Sequence, residues 1–424
     1  MTAEPRGAIP AARSRKILER LDALARLSDE PDRLTRFFLS PAHRAAADLV
    51  ARWMREAGME TRLDPLATVV GRWPGETADA PVLLLGSHID TVRDAGRFDG
   101  TLGVVLAIAV VEELAGRSRH LPFAIEVLAF GDEEGCRFPV TLTGSRAIAG
   151  TLDPSLLDVR DAGGTSLREA LEVFGGDPEG VARIRRDPAS TLGYLEVHIE
   201  QGPVLEKAGV PVGVVTGIAG ATRGRITVLG RAGHAGTVPM ELRRDALAGA
   251  AEIVLATEAF ARAEAPAVAT IGGCTVEPGV GNVVPDRVAL EFDLRAPEDG
   301  MRRRLLEELE REMAAIAERR GLAITFERRH EAPAVLCDPE LSRLLAEAVE
   351  ACGLPPLELP SGAGHDAMAI AATLPVAMLF VRCREGLSHH PDELVTAADV
   401  AVALEVLLRF LERLENAVTT GDRG

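Results

Sequence analysis

The stretch Leu83–Gly103, LLLGSHIDTVRDAGRFDGTLG, constrains this chain more than any other. Pro81-Val82-Leu83-Leu84-Leu85 is an apolar run bounded by Pro and Gly, the pattern of a buried strand. It places His88 at or just past the strand's C-terminal end. Asp99 follows in Phe98-Asp99-Gly100-Thr101, and Leu102–Leu114 then carries apolar residues at helical spacing. A histidine at a strand end and an aspartate just before a helix can converge in one crevice, where open α/β sheets place their sites. Asp90, two residues after His88, is spaced to accept the second N–H of a metal-bound imidazole.

A chain of 424 residues exceeds what one hydrophobic core usually serves, so two domains are expected. The net charge of −17 disfavours nucleic acid and anionic membrane as partners. Cys136, Cys274, Cys337, Cys352 and Cys383 are scattered and form no C-x-x-C, which points to a reducing compartment and away from a disulfide framework or a thiolate zinc site. The opening MTAEPRGAIPAARSRK carries basic residues without an apolar segment, and no run has the length of a membrane span. A cytoplasmic location follows as the expectation.

In chain order, residues 1–15 read as a frayed arm, and Lys16–Leu27 and Pro41–Gly58 as helices. Glu60–Trp73 reads as a strand pair. Beyond the Leu83 strand come Phe123–Phe130, ending in Gly131-Asp132-Glu133-Glu134; Leu192–Glu200, containing His198; and Pro375–Arg382, leading to Ser388-His389-His390-Pro391. With helices Leu102–Leu114 and Ala398–Leu414 these predict an α/β domain with a mixed, largely parallel sheet and flanking helices. The rhythm changes within 217–328. Strand Arg223–Gly230, helix Leu242–Ala263, strands Ala267–Glu277 and Val288–Arg295, helix Met301–Arg320 and strand Leu322–Arg328 give the β-α-β-β-α-β order of a ferredoxin-like α+β domain. We therefore expect residues 1–216 and 329–424 to form one domain and 217–328 to be inserted into it.

Strand ends thus carry His88, Glu133/Glu134, His198 and His389/His390, with Asp99 beside the first. Each alone is an ordinary feature of a strand end or solvated turn; together at one sheet edge they are not. Nitrogen and carboxylate donors without cysteine suit Zn²⁺, Mn²⁺, Co²⁺ or Ni²⁺ in a reactive site. A set this size, with one carboxylate able to bridge, suits two metals and a water, and an unbound neighbouring carboxylate can take that water's proton.

The series G-S-H-I-D-T-V (86–92), F-D-G (98–100), G-D-E-E-G-C-R-F (131–138), H-I-E-Q-G-P-V-L-E (198–206), G-H-A-G-T-V-P-M (233–240), N-V-V-P (282–285), D-L-R-A-P (293–297), G-A-G-H-D-A-M (362–368) and G-L-S-H-H-P-D-E (386–393) resembles the M20-type metallo-amidohydrolases. Within these it is similar to the branch of N-carbamoyl-L-amino-acid hydrolases, β-ureidopropionases and allantoate amidohydrolases; the peptidase branches carry a carboxylate where His198 stands. The resemblance implies that His88 and His198 hold one divalent metal ion, Glu134 and His389 a second, and that Asp99 bridges them, with Asp90 supporting His88. Glu133 would be the general base. Gln201, Asn282, Arg295 and His365 would contact substrate, Arg295 through the carboxylate of a small ureido acid. His234 would polarise the scissile carbonyl across a homodimer. Arg295 could instead pair with Asp293 or Glu298 on the surface, and Ala221 stands where the family often has glutamine, beside Arg223. Nothing flanking Cys136 would lower its pKa, so it is not read as a nucleophile. The expected activity is hydrolysis of a ureido C–N bond, releasing ammonia and CO₂. The rivals are an aminoacylase or dipeptidase on the same metals, and a metal-free binding protein of the same fold.

Overall fold

The computed structural model describes residues 11–421, which fold into two units. The first comprises residues up to Thr216, Cys337–Leu359 and His365 onward; the second comprises Gly217–Leu336 and Pro360–Gly364.

The first unit is built on one mixed sheet. Side by side lie Glu60–Leu63, Val69–Trp73, Ala124–Phe130, Val82–His88, Thr191–Ile199, Val376–Val381 and Val212–Ile218. The four central strands are mutually parallel, with His88 level with Phe130 and His198 level with Phe380. The outer pairings are antiparallel. Apart from Val82, the central strands are buried along their whole length, as expected where helices cover both faces of a parallel sheet. Parallel strands bring their C-terminal ends to one edge, so the loops after His88, Phe130, Ile199 and Val381 emerge together. Helix Thr101–Gly116, apolar over almost its whole surface, packs on the central strands. Gly103 makes that approach possible: a Cβ there would lie 2.1 Å from the Val197 carbonyl oxygen and 2.9 Å from Ser87 Cβ.

The second unit follows the order Gly220–Leu229, helix Ala246–Ala263, Val268–Glu277, Arg287–Ala296, helix Asp299–Arg320, Ala323–Ala332. Its strands form an antiparallel sheet in the order fourth, first, third, second. Ile226, Val228, Leu290, Phe292 and Leu294 face Ile253, Leu305, Leu309, Met313 and Ile316 in one core. Here strands bury alternate residues and leave the other face polar, as an antiparallel sheet covered on one side does.

Several boundaries differ from the sequence expectation. Residues 1–10 of the expected arm lie outside the described residues, and its remainder is the first turn of a helix, Ala11–Ala25. Alanines favour that helix, and Arg13 anchors it on Glu113. The helix expected from Leu242 begins at Ala246, because the Asp245 carboxylate caps it by accepting from the Leu247 and Ala248 N–H groups. The last strand of the second unit runs on to Ala332 through a bulge at Arg328–His330. Among the described residues no helix is long and apolar enough to cross a membrane.

We predict that Gly103→Ala destabilises the chain by about 1–3 kcal/mol through overpacking against Val197. Urea unfolding of the variant and the parent checks this.

Candidate metal centre

His88 ends its strand and is almost wholly buried. Its Nδ1 lies 3.1 Å from the Asp90 carbonyl oxygen and 3.4 Å from Asp90 Oδ1, so Nε2 is the atom turned into the crevice. His198, also buried, is oriented the same way: its Nδ1 is 2.9 Å from the Ile199 carbonyl oxygen. Both Nε2 atoms face one oxygen of Asp99, at 3.4 Å from His88 and 3.1 Å from His198. His389 Nε2 faces the other oxygen of Asp99 at 3.4 Å and Glu134 Oε1 at 3.6 Å. Three imidazoles therefore converge on the two oxygens of one buried carboxylate.

The donor atoms of His88, Asp99 and His198 lie within 4.8 Å of one another, and so do those of Asp99, Glu134 and His389. Asp99 belongs to both of these groups, and His88, Glu133 and Glu134 form a third at the same spacing. Nitrogen and carboxylate oxygen donors at this spacing, without sulfur, fit a pair of divalent ions. His390 does not join them. Its Nδ1 accepts from the Asp392 N–H at 3.1 Å and faces the Asp392 carboxylate at 3.8 Å. The structure thus separates two adjacent histidines that spacing leaves equivalent.

The supporting contacts explain the local fold. Asp90 does more than face His88: its two oxygens accept the backbone N–H groups of Glu133 at 3.2 Å and Glu134 at 3.1 Å. It thereby joins the loops after two neighbouring strands. Arg36, fully buried, donates from Nε to the Ile89 carbonyl at 2.5 Å and from Nη1 to the Leu24 and Leu27 carbonyls. Its N–H meets Thr91 Oγ1 at 2.9 Å, so it fixes the Ile89–Thr91 turn. Gln201 Nε2 and Ser388 Oγ both donate to Asp99 Oδ2, at 3.0 and 2.7 Å. Gln201 and His389 occupy the left-handed region, with φ of 57° and 54°. Such backbone persists where surrounding contacts over-determine it, and it clusters at functional sites. Arg36, Ser388 and Glu393, discussed below, escaped the sequence reading. Arg36 has no motif, while Ser388 and Glu393 stand in the His389 motif without any sign of what they contact.

Charge and burial oppose one another here. Burial works to raise the Asp99 carboxyl, but His198 and His88 outweigh it and hold it well below the usual carboxylate range. Burial works to lower His88 and His198; the contacts of His88 with Asp90 and Asp99, and of His198 with Asp99, raise both above the ordinary imidazole value. Burial pushes Glu133 well up, and burial with the Asp99 charge takes Glu134 up to about 8. Carboxyls that resist ionisation in the bare protein gain most from a bound cation. His365, fully buried, packs edge-on to His198 with ring centroids 4.5 Å apart. Burial holds it well below the ordinary imidazole value. Cys136 is exposed, and partial burial of its thiol with the surrounding carboxylates pushes it up to about 12, the opposite of an activated nucleophile.

The other expected substrate residues lie in the second unit. His234 and Asn282 flank each other on a two-stranded ribbon in which Val283 pairs with His234, and the Asn282 carbonyl accepts from the Ala235 N–H at 2.9 Å. His234 Nδ1 accepts from the Gly236 N–H at 3.0 Å, which assigns the proton to Nε2. Arg295 donates to both oxygens of Asp293, at 3.0 and 3.1 Å, and to the Gly362 carbonyl at 2.6 Å. Arg223 shares Asp293 at 2.8 Å. Partial burial works to raise Asp293, but the two guanidiniums outweigh it and hold it below the ordinary value. Among the described residues three of the five Arg295 donors find acceptors, leaving one N–H on each terminal nitrogen.

The sequence pattern described as Peptidase family M20/M25/M40 matches residues 84–413. An allantoate deiminase of Arabidopsis thaliana is 43% identical over 93% of this chain and 81% of its own. An N-carbamoyl-L-amino acid amidohydrolase of Geobacillus stearothermophilus is 42% identical over 94% of this chain and 98% of its own. Among solved structures, an amidase of the hydantoinase/carbamoylase family from Burkholderia multivorans superposes with a TM-score of 0.90 at 32% identity, covering 96% of this chain and 99% of its own.

Behind the Glu133 loop, His43 is fully buried; its ring stacks on Phe174 and lies against Gly131. Burial lowers it to about 3, with Arg36 adding to the effect and Asp90 opposing it. The unfolded chain therefore binds a proton here that the folded chain refuses between pH 6.5 and 3. We predict that His43 by itself contributes a loss of stability of up to about 1.4 kcal/mol per pH unit as pH drops through this window, whatever the net slope set by the other buried groups. His43→Gln should therefore gain stability relative to the parent as pH falls, when denaturation midpoints of the two are compared from pH 7 to pH 4.

Proposed function

From the premise that this chain belongs to peptidase family M20/M25/M40, we propose that it hydrolyses the ureido C–N bond of a small carboxylate-bearing molecule, such as allantoate or an N-carbamoyl-L-amino acid. The observation that carries this reading is the convergence of His88, His198 and His389 on Asp99, with Glu133 beside Glu134 at the same edge. Enzymes of the family are generally di-metal. His88 and His198 would hold one ion, Glu134 and His389 the other, and Asp99 both; Zn²⁺ or Mn²⁺ suit the donors, and Co²⁺ or Ni²⁺ can replace them. Bound there, the metals would supply a water of lowered pKa and polarise the substrate carbonyl.

The chain's own groups do the rest. Glu133 takes the proton of the water that attacks the ureido carbonyl and later passes it to the leaving nitrogen. His234, with its proton on Nε2, donates to the developing oxyanion. The two free N–H groups of Arg295 bind the substrate carboxylate, and Asn282 hydrogen-bonds it. Gln201 and His365 complete the contacts to substrate. The amine leaves, and carbamate decomposes to ammonia and CO₂. We place His234 in the active site of a partner copy, so the functional unit is a homodimer, located in the cytoplasm.

The test is ammonia release by chain stripped of metal and reloaded, given allantoate, a set of N-carbamoyl-L-amino acids, N-carbamoyl-β-alanine and, as control, a dipeptide. Metal-dependent turnover of one ureido compound is expected; turnover of the dipeptide alone would overturn the ureido reading. Glu133→Gln should lower kcat by about 10²–10⁴-fold with metal content unchanged. Arg295→Lys should raise KM by about tenfold or more with little change in kcat, and unchanged kinetics would remove Arg295 from the carboxylate role.

A further inference from the structure

Asp99 is gripped from the far end of the chain. Glu393, four residues beyond His389, has a side chain only 3% exposed. Its Oε1 accepts two adjacent backbone N–H groups, of Phe98 at 2.7 Å and of Asp99 itself at 3.0 Å. The Glu393 N–H donates to the His390 carbonyl at 3.1 Å, and the Arg384 N–H donates to the Leu394 carbonyl at 2.8 Å, which closes the loop carrying Ser388 and His389. Gly96 leaves room for the carboxylate: a Cβ at that position would lie 2.4 Å from both Cβ and Cδ of Glu393.

We infer that Glu393 is a positioning residue for the metal pair, holding the backbone of Asp99 so that its carboxylate points between the three imidazoles. The inference rests on the reading of Asp99 as the shared ligand. Two N–H groups side by side need one oxygen that can accept both, and Oε1 of Glu393 is that oxygen. Fixing the N–H of Asp99 and of the residue before it fixes the direction in which the Asp99 side chain leaves the backbone. Ser388 then holds the other end of the side chain, at Oδ2. Since Glu393, Ser388 and His389 share one loop, a single element sets both the direction of the bridge and the third imidazole. A tether that served only to close the loop would need no aim at Asp99. Groups behind metal ligands typically change metal affinity by about 10–100-fold when removed.

The experiment titrates metal-free chain with Co²⁺, following heat and the visible d–d bands, for the parent, Glu393→Gln, Glu393→Ala and Gly96→Ala. The parent should take up two ions. Glu393→Gln keeps a carbonyl oxygen for both N–H groups and should bind both within about threefold of the parent. Glu393→Ala should bind at least one ion about tenfold or more weakly, with shifted bands, while circular dichroism shows a folded chain. Gly96→Ala, which crowds the carboxylate aside while leaving Glu393 itself in place, should reproduce the defect in part. A folded Glu393→Ala that binds both ions like the parent, or a Glu393→Gln as defective as Glu393→Ala, overturns the inference. If Glu393→Ala does not fold, Gly96→Ala and Glu393→Asp decide by the same titration, and parental affinity in both overturns it. A parent chain that takes up fewer than two ions contradicts the two-metal reading itself, and the inference falls with it.

Discussion

Three imidazole nitrogens directed at the two oxygens of a single buried carboxylate form the contact around which the first unit is arranged. Burying Asp99 is costly, and only nearby positive charge makes the ionised form stable in that crevice. The imidazoles answer the carboxylate, and the carboxylate keeps their Nε2 atoms aimed inward. Each of the two buried histidines is also fixed from behind: backbone carbonyls of Asp90 and Ile199 engage the Nδ1 atoms of His88 and His198. Rotation of either ring would break a contact on both sides.

The sheet lowers the entropy lost in this convergence. Parallel central strands bring the loops after His88, Phe130, Ile199 and Val381 to one edge, so most of the candidate ligands are set at or close to a strand end. Small polar groups then lock the loops to one another. Asp90 holds the Glu133–Glu134 backbone, Arg36 holds the turn containing Asp90, and Glu393 holds the Asp99 segment. These are groups buried without a reaction of their own to perform, and their partners are chiefly backbone N–H and C=O groups.

How much of this was legible follows from what each signal encodes. Apolar runs ending in Gly-Ser-His or Gly-Asp-Glu-Glu state both the strand and its polar end, so the parallel sheet and the edge that gathers His88, Glu133, Glu134 and His198 could be read directly. The alternation in Arg287–Ala296 likewise announces a half-buried strand of the second unit. Other features depend on partners far away in sequence. Nothing local distinguishes His389 from His390; their difference arises from a left-handed backbone at His389 and a turn that engages His390 with Asp392. Glu393 lies nearly three hundred residues from Phe98 and reads only as an acidic loop residue until the fold joins them. The sequence admits Arg295 both as a carboxylate clamp and as a partner of Asp293 or Glu298; the fold pairs it with Asp293 and leaves two N–H groups over among the described residues.

The most direct test of Asp99 as the shared ligand is anomalous diffraction from crystals of the chain grown with Mn²⁺, recorded at the manganese edge. Two peaks are predicted, one bounded by His88, His198 and the first oxygen of Asp99, the other by Glu134, His389 and the second. A single peak, or two peaks of which either fails to touch Asp99, would contradict the account.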